Sequence, residues 1–161
     1  MTCTFGDYAF EYICPIEPTD YGLMPQNRYS NPRGLPLHPY GSGTFCEFRI
    51  PRGRRSQGMY VLTKDGEMTY IGECENLSNR HNAGYGQISP RNCYKGGQET
   101  NCRINRLIAE ATQSGHVVEL WFHPTLGLSR SARRSVERQL RDRCNPPWNL
   151  RRNNDRRDWD R

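Results

Sequence analysis

Residues 58–73 read GMYVLTKDGEMTYIGE, and this stretch decides the fold. Its two flanks, 58–63 and 68–73, are rich in residues that favour β-strands. The intervening Lys64-Asp65-Gly66-Glu67 has the composition of a tight turn. The stretch therefore predicts a β-hairpin that carries Tyr60 and Tyr70 on adjacent strands.

A short helix is predicted directly after this hairpin. The sequence continues Asn76-Leu77-Ser78-Asn79-Arg80, in which Asn76 is a typical helix N-cap residue. A helix that begins there brings Arg80 over the face that holds the two tyrosines. Phenols and a guanidinium that converge in this way point to chemistry on a phosphate group.

The order of these residues resembles the GIY-YIG endonuclease family. That family has two tripeptides on a hairpin, here Gly58-Met59-Tyr60 and Tyr70-Ile71-Gly72, with Met59 in place of the usual isoleucine. A helical arginine follows, and then a helical glutamate and an asparagine just beyond it, which match Arg80, Glu137 and Asn149. The resemblance covers residues 57–150, and its loops at 84–93 and 96–102 are most similar to the type II restriction enzymes.

The pattern and the resemblance together predict an α+β fold, a small three-stranded antiparallel sheet flanked by helices. Residues 117–123 read as the third strand. Apolar residues at helical spacing predict one helix that starts near Thr100 or Asn101 and ends before Gly115. A last helix is expected from Ser129 to about Arg143, and Trp148 is expected to anchor the turn that holds Asn149 near the sheet edge.

The resemblance also implies roles for the site residues. Tyr60 is the expected general base and Tyr70 a relay or phosphate donor, while Arg80 is expected to stabilise the charge that develops on the phosphate. Glu137 is the expected ligand of Mg²⁺ or another divalent cation such as Mn²⁺. Family members often carry His or Tyr four residues after the arginine, where this chain has Gly84. We favour Tyr85 for that place and keep His81 as second choice, because a local bulge restores the register.

The charge distribution favours a nucleic-acid partner. The chain has 161 residues, 34% of them hydrophobic, a mean hydropathy of -0.94, a net charge of +6 and a pI near 9.1. Residues 126–161 hold eleven arginines and five acidic residues, which accounts for the whole excess. Arginine suits phosphates and guanine edges, although a solvated helix and tail is the alternative. The expected contacts to double-stranded DNA are Arg54, Arg55, Gln87, Arg91, Asn92, Gln98, Asn101, Arg103, Arg134, Arg151 and Arg152.

Outside the core, residues 1–56 read as a proline-rich N-terminal arm or wrap that contains one or two short strands. Contact of this segment with DNA is an expectation. Residues 151–161 form an arginine-rich tail. The seven cysteines lack the paired spacing of a zinc site, and the chain shows no secretory signal or membrane-spanning segment. These features predict a cytoplasmic protein of a bacterium or phage.

Three functions fit the sequence. The first is a metal-dependent DNA endonuclease, a type II restriction enzyme that acts as a homodimer on a short symmetric duplex site. The second is a structure-specific repair, mobile-element or phage nuclease with the same core. The third is a catalytically silent nucleic-acid-binding protein. Gln98, Asn101 and Arg103 either read bases or cap the helix.

Overall fold

The computed structural model describes residues 1–150, which form an α+β fold around one five-stranded antiparallel sheet. The strand order in that sheet is β1-β2-β7-β5-β6, and β3 and β4 form a separate two-stranded sheet. The strands are β1 (Thr2–Phe5), β2 (Tyr8–Pro15), β3 (Asp20–Leu23), β4 (Phe45–Glu47), β5 (Gly58–Lys64), β6 (Glu67–Cys74) and β7 (Val118–Pro124). The α-helices are α1 (Leu77–Arg80), α2 (Glu99–Gln113) and α3 (Arg130–Cys144).

The predicted hairpin is confirmed as β5 and β6. Its two-residue turn has Asp65 at φ 50° and Gly66 at φ 85°, a conformation that suits Asp-Gly because glycine carries no Cβ. Tyr60 pairs with Gly72, and Leu62 pairs with Tyr70. The two tyrosines therefore lie diagonally on the same face of the hairpin rather than directly opposite each other.

The prediction of three strands was wrong, because the sheet has five. β7 does pair with β5 as expected, but its other edge is covered by β2, and β1 pairs with β2. The first turn, where Gly6 has φ 60°, joins β1 to β2 within the segment that composition marks as an arm. Phe10 of β2 is fully buried against the apolar side chains of the sheet, and this burial favours the added pair of strands.

The two faces of the sheet carry different helices. On one face, Tyr60 and Tyr70 belong to the same buried cluster as Ile104 and Ile108 of α2. On the other face, a cluster of Met59, Val61, Ile71 and Trp121 packs against Leu140 of α3. Because side chains alternate along a strand, Tyr60 faces α2 and its neighbours Met59 and Val61 face α3.

The helix predictions are confirmed except for one boundary. The side chain of Ser129 accepts a hydrogen bond from the amide of Ala132, so α3 begins where its cap predicts. The helix expected from Thr100 or Asn101 begins slightly earlier, at Glu99. Gln98 occupies the N-cap position without a side-chain capping bond.

The cysteine residues are all free thiols. Across residues 1–150, no helix combines the length and the apolar character needed to cross a membrane.

Candidate active site

The two tripeptide glycines of the hairpin allow close packing, Gly72 against Tyr60 and Gly58 against β7. A Cβ on Gly72 would overlap the Tyr60 hydroxyl and would stand 3.0 Å from its Cε1, so the phenol lies directly across the Gly72 backbone. A Cβ on Gly58 would overlap the carbonyl oxygen of His123. Both positions therefore require glycine, because a side chain at either one would collide with a neighbouring residue.

A π-helical turn brings Tyr85 to the face that holds Arg80. Asn76 caps α1 by accepting a hydrogen bond from the amide of Asn79, and the chain then continues as a π turn from His81 to Tyr85. The amide of Gly86 donates to the carbonyl of His81 at 2.6 Å, which is a five-residue closure. This extra residue per turn places the fifth residue after Arg80 where an α-helix would place the fourth.

Three tyrosine hydroxyls converge on Arg80, and these four residues are called the tyrosine–arginine cluster. The hydroxyl of Tyr85 lies 2.5 Å from that of Tyr60 and 3.3 Å from that of Tyr70. Arg80 donates from Nη2 to the Tyr85 hydroxyl at 2.8 Å and from Nε to the Tyr60 hydroxyl at 3.4 Å. The guanidinium carbon also lies 4.4 Å from the centre of the Tyr85 ring. The two hairpin tyrosines, Arg80 and Tyr85 thus form one hydrogen-bonded unit.

Burial keeps the phenols of this cluster protonated. It raises the pKa of Tyr60 above the ordinary value, and the positive charge of Arg80 together with the hydrogen bond to Tyr85 offsets only part of that increase. Burial also raises the pKa values of Tyr70 and Tyr85. In this state the three hydroxyls donate and accept hydrogen bonds but carry no negative charge at neutral pH.

His81, the second choice for the place after Arg80, lies behind the phenols. Its ring packs edge-on against Tyr60 and Tyr85, with centroids 4.9 Å and 5.4 Å apart, and its Nδ1 lies 3.0 Å from the carbonyl oxygen of Leu77. Burial lowers the pKa of His81 to about 4, so the ring is neutral. His81 therefore packs against the tyrosine rings and, in the part of the chain that the structure describes, makes no hydrogen bond with Arg80. Tyr85 is the residue that lies beside the guanidinium.

An open cleft of about 480 Å³ adjoins the cluster on the side of Arg80. The end of β6, α1, and the first turns of α2 and α3 form its walls. Among the lining residues are Glu73, Glu75, Asn79, Arg80, Gln98, Asn101, Arg130 and Arg134. The cleft therefore places the guanidinium of Arg80 on the same surface as two exposed arginines of α3, Arg130 and Arg134.

Asn101 contacts Arg80 from α2. Its Oδ1 accepts a hydrogen bond from Arg80 Nη1 at 3.3 Å, and its Nδ2 donates to Gln98 Oε1 at 2.7 Å. The side chain is buried, with 2% of Asn101 exposed, whereas Gln98 is exposed at the cleft. Asn101 thus lies behind the guanidinium, with both ends of its amide engaged by the protein.

A buried ion pair that the sequence did not predict joins α3 to the cleft. Arg133 is 1% exposed and donates from Nε to Glu73 at 2.7 Å, while Arg134 donates to the other Glu73 oxygen at 3.4 Å. In the sequence Arg133 is one of several arginines of a basic helix, and only its inward position distinguishes it. The pair fixes the first turns of α3 against the edge strand β6.

Glu137 lies apart from the tyrosine–arginine cluster. It is on α3, 12% of its side chain is exposed, and its nearest cationic partner is Arg141 at 3.6 Å. Within residues 1–150, no hydrogen bond or ion pair connects Glu137 to the cluster, and it does not line the cleft. Burial and then the negative charge of Glu73 raise the pKa of Glu137, and Arg141 partly opposes them.

The donor chemistry of Glu137 fits one divalent cation. In the described part of the chain, no three His, Cys, Asp or Glu side chains are grouped as a metal site. Mg²⁺, however, commonly takes only one or two protein carboxylates and completes its shell with water and phosphate oxygens. The positive charge of a cation would offset the two effects that raise the pKa of Glu137, the cost of burying its negative charge and the repulsion from Glu73.

Asn149 closes the edge of the sheet. Its Oδ1 accepts a hydrogen bond from the amide of Ile71 and its Nδ2 donates to the carbonyl of Ile71, both at 2.9 Å. The amide of the buried Trp148 donates to the carbonyl of Thr69 at 2.9 Å, and Arg103 donates to the Trp148 carbonyl. The turn is therefore anchored as predicted, and Asn149 satisfies edge-strand backbone groups rather than facing the cleft.

The remaining predicted DNA contacts are scattered. Arg134, Gln98 and Asn101 are at the cleft, but Arg103 is 8% exposed and lies in the core. The others have these positions: Arg54 pairs with Glu11, Arg55 is exposed, Gln87 borders a separate groove beside Arg28, Arg91 lies over the ring of Tyr29, and Asn92 accepts from the amide of Gln98. Arg151 and Arg152 lie outside the described residues.

Comparison with known proteins gives little beyond this geometry. No protein-family model matches the chain, and no curated protein matches it. Among solved structures, a mutant of bacteriophage T4 EndoII is similar, with a TM-score of 0.46 and 23% sequence identity, over 72% of this chain and 87% of that one. A likeness of this size does not assign an activity.

Proposed function

We propose that the protein is a metal-dependent DNA endonuclease that hydrolyses phosphodiester bonds, and that it acts as a type II restriction enzyme on a short specific duplex site. The observation that carries the proposal is Arg80, held by two phenols and an amide at the wall of an open cleft. A hydrogen-bonded guanidinium of this kind is aligned before substrate arrives. Stabilisation of developing charge by groups aligned in advance is usually the largest single contribution to catalysis.

In this proposal Arg80 binds the scissile phosphate and stabilises the negative charge that develops during attack. Tyr60 is the expected base, but its raised pKa means that the free protein holds it as a phenol. Loss of its proton would therefore need the added positive charge of a bound cation, or a relay in which Tyr85 takes this proton across the 2.5 Å contact and passes its own proton on to water. Tyr70 completes the hydrogen-bonded set.

We propose that Glu137 holds the divalent cation, Mg²⁺ or Mn²⁺. When bound, the cation neutralises phosphate charge and makes a coordinated water more acidic. The buried pair of Arg133 and Glu73 supports this role indirectly, because it holds α3 against the strand that borders the cleft. A carboxylate one turn along that helix is thereby kept at a fixed distance from the sheet.

The proposed partner is double-stranded DNA. Arg130 and Arg134 line the cleft with Arg80, and 62% and 53% of their side chains are exposed, so they are available to backbone phosphates. We further propose a homodimer, since one such site cuts one strand and a symmetric duplex site needs two. Residues 57–150 are the proposed nuclease core, with DNA contacts also from the flanking segments.

A catalytically silent nucleic-acid-binding protein is the second candidate. It is favoured by one observation, the pairing of Glu137 with Arg141 at a place that does not line the cleft. Cleavage tests separate the two candidates.

The test is cleavage of supercoiled plasmid and of a random duplex library, with Mg²⁺ or with EDTA. We expect cleavage only with the cation and a defined sequence at the cut ends. Arg80→Ala and Glu137→Ala are each expected to slow cleavage by at least roughly 100-fold, as loss of a charge-stabilising group does. Asp142→Ala is the matched control, an exposed acidic residue of the same helix, and is expected to cleave normally.

Three other results would each contradict part of this proposal. DNA binding without cleavage under any cation would support the silent binding protein. Cuts without a common sequence would support a structure-specific repair, mobile-element or phage nuclease. Full activity of Glu137→Ala would remove Glu137 from the proposed metal site.

A further inference from the structure

The guanidinium of Arg80 is fixed from three directions. Nε is bonded to Tyr60 on β5, Nη2 to Tyr85 in the π turn and Nη1 to Asn101 on α2. Asn101 is thus the contact that α2 provides, and in the described part of the chain it is the hydrogen-bond partner of Nη1. Without it, the plane of the guanidinium is free to turn about the bonds to the two phenols.

Asn101 has one orientation that fits this place. An asparagine amide accepts at one end and donates at the other, and Arg80 can only donate. Oδ1 must therefore face Arg80, which leaves Nδ2 to find an acceptor. Gln98 Oε1 provides that acceptor at 2.7 Å, the shorter of the two Asn101 bonds. Gly84 lies close to the same amide, since a Cβ at that position would stand 3.6 Å from Oδ1 and 3.8 Å from Nδ2.

The burial of Asn101 distinguishes it from a residue that reads DNA bases. A residue that reads DNA bases needs free donors or acceptors at the surface. Asn101 is 2% exposed and both ends of its amide are bonded to protein. Gln98 is exposed, but its Oε1 is engaged by Asn101.

We propose that Asn101 is the positioning residue of Arg80 and that Gln98 acts through it, by fixing the orientation of the Asn101 amide. The kinetic part of this inference rests on the proposed nuclease function. The structural part, a Gln98–Asn101–Arg80 chain that sets the guanidinium plane, stands on its own.

Single-turnover cleavage at saturating DNA, together with the Kd for DNA, tests the kinetic part. Asn101→Ala is expected to slow cleavage roughly 10- to 100-fold, the cost of a misplaced catalytic group, while Kd changes less than about threefold. Gln98→Ala is expected to act in the same direction but less strongly. Gln113→Ala, at the far end of the same helix, is the matched control and is expected to retain the wild-type rate.

Gln98→Glu separates positioning from contact with DNA. Its carboxylate still accepts from Asn101 Nδ2, so Gln98→Glu is expected to recover most of the cleavage rate at saturation that Gln98→Ala loses. The new negative charge at the cleft is expected to raise Kd. A Gln98 amide that binds DNA through its own N–H groups would instead lose rate and affinity in both Gln98 variants, and that result would overturn the relay.

The structural part is tested without any activity. In protein with ¹⁵N-labelled arginine, the Nε–Hε signal of Arg80 is assigned from its absence in Arg80→Lys. Asn101→Ala is expected to shift and broaden that signal, and Gln113→Ala to leave it in place. An unmoved signal in folded Asn101→Ala would overturn the inference whether or not the protein is a nuclease. A wild-type protein that does not cleave, with the expected shift present, would instead reject only the proposed function.

Discussion

Removal of the Tyr85 hydroxyl is the most informative single change in the tyrosine–arginine cluster. That oxygen contacts Tyr60 at 2.5 Å, Tyr70 at 3.3 Å and Arg80 Nη2 at 2.8 Å, and the phenol is fully buried. Tyr85→Phe retains the ring and its packing. It therefore removes only the hydrogen bonds. The hydroxyls of Tyr60 and Tyr70 and Nη2 of Arg80 each lose one partner.

The expected cost follows from those groups. A buried hydrogen bond contributes about 0.5–1.5 kcal/mol net, and one to a charged group about 1.5–3 kcal/mol. Arg80 borders the open cleft, where water replaces part of its loss, but the Tyr70 hydroxyl has no such access. We expect Tyr85→Phe to lower the free energy of unfolding by about 2–4 kcal/mol, and Tyr60→Phe by about 1–2 kcal/mol. The double variant is expected to cost at least about 0.5 kcal/mol less than their sum, because both partners of the shortest bond are then gone.

Urea unfolding of the wild type, both single variants and the double variant measures this coupling. Tyr21→Phe is the control, since the Tyr21 hydroxyl bonds Thr112 at an exposed position and its loss should cost less than about 0.5 kcal/mol. The proposed network would be refuted if Tyr85→Phe cost no more than Tyr21→Phe. Strict additivity of Tyr60→Phe and Tyr85→Phe would also refute it.

Three further predictions follow from the described contacts. Asn149→Ala is expected to lower the free energy of unfolding by about 1–3 kcal/mol in urea, because the N–H and C=O of Ile71 lose their partners; a cost near zero would contradict the edge-closing role. Gly72→Ala is expected to cost about 1–3 kcal/mol and to displace Tyr60, seen as lost cleavage and a lower melting temperature; wild-type values in both would contradict the close packing. Burial raises the pKa of Glu137, so the stability linked to its proton is complete below the unfolded pKa of about 4.3 and is lost as pH rises through the folded pKa. Glu137→Gln is therefore expected to flatten the fall in melting temperature from about pH 4 towards neutral pH, and to remove the rise that Mg²⁺ gives the wild type; an equal Mg²⁺ response in both would contradict the metal assignment.

The hairpin and the last helix were predictable because local chemistry specifies them. An Asp-Gly turn between two β-rich flanks closes β5 on β6 without help from distant residues. Ser129 caps α3 in the same local way. The register that this turn sets pairs Tyr60 with Gly72. The hairpin itself therefore explains why glycine is needed there, since a Cβ on residue 72 would overlap the Tyr60 side chain.

The N-terminal strands were only partly predictable. Their alternating aromatics indicated one short strand, but the pairing of β2 with β7 joins Glu11 to Phe122, and no local signal reports a partner so far along the chain. The prolines that mark this region as an arm begin at Pro15, where β2 ends. A three-stranded sheet was thus the largest that local reasoning could specify.

By itself, the sequence determined the hairpin, the helix caps and the candidate site residues, because turn, cap and motif spacing are properties of neighbouring residues. Only the tertiary structure decided how those residues meet. The π turn brought Tyr85 to Arg80, α2 supplied Asn101 behind the guanidinium, and α3 packed on the sheet face opposite Tyr60, with Glu137 outside the cleft. These relations depend on burial and on contacts between segments far apart in the chain, and neither is encoded in any single stretch.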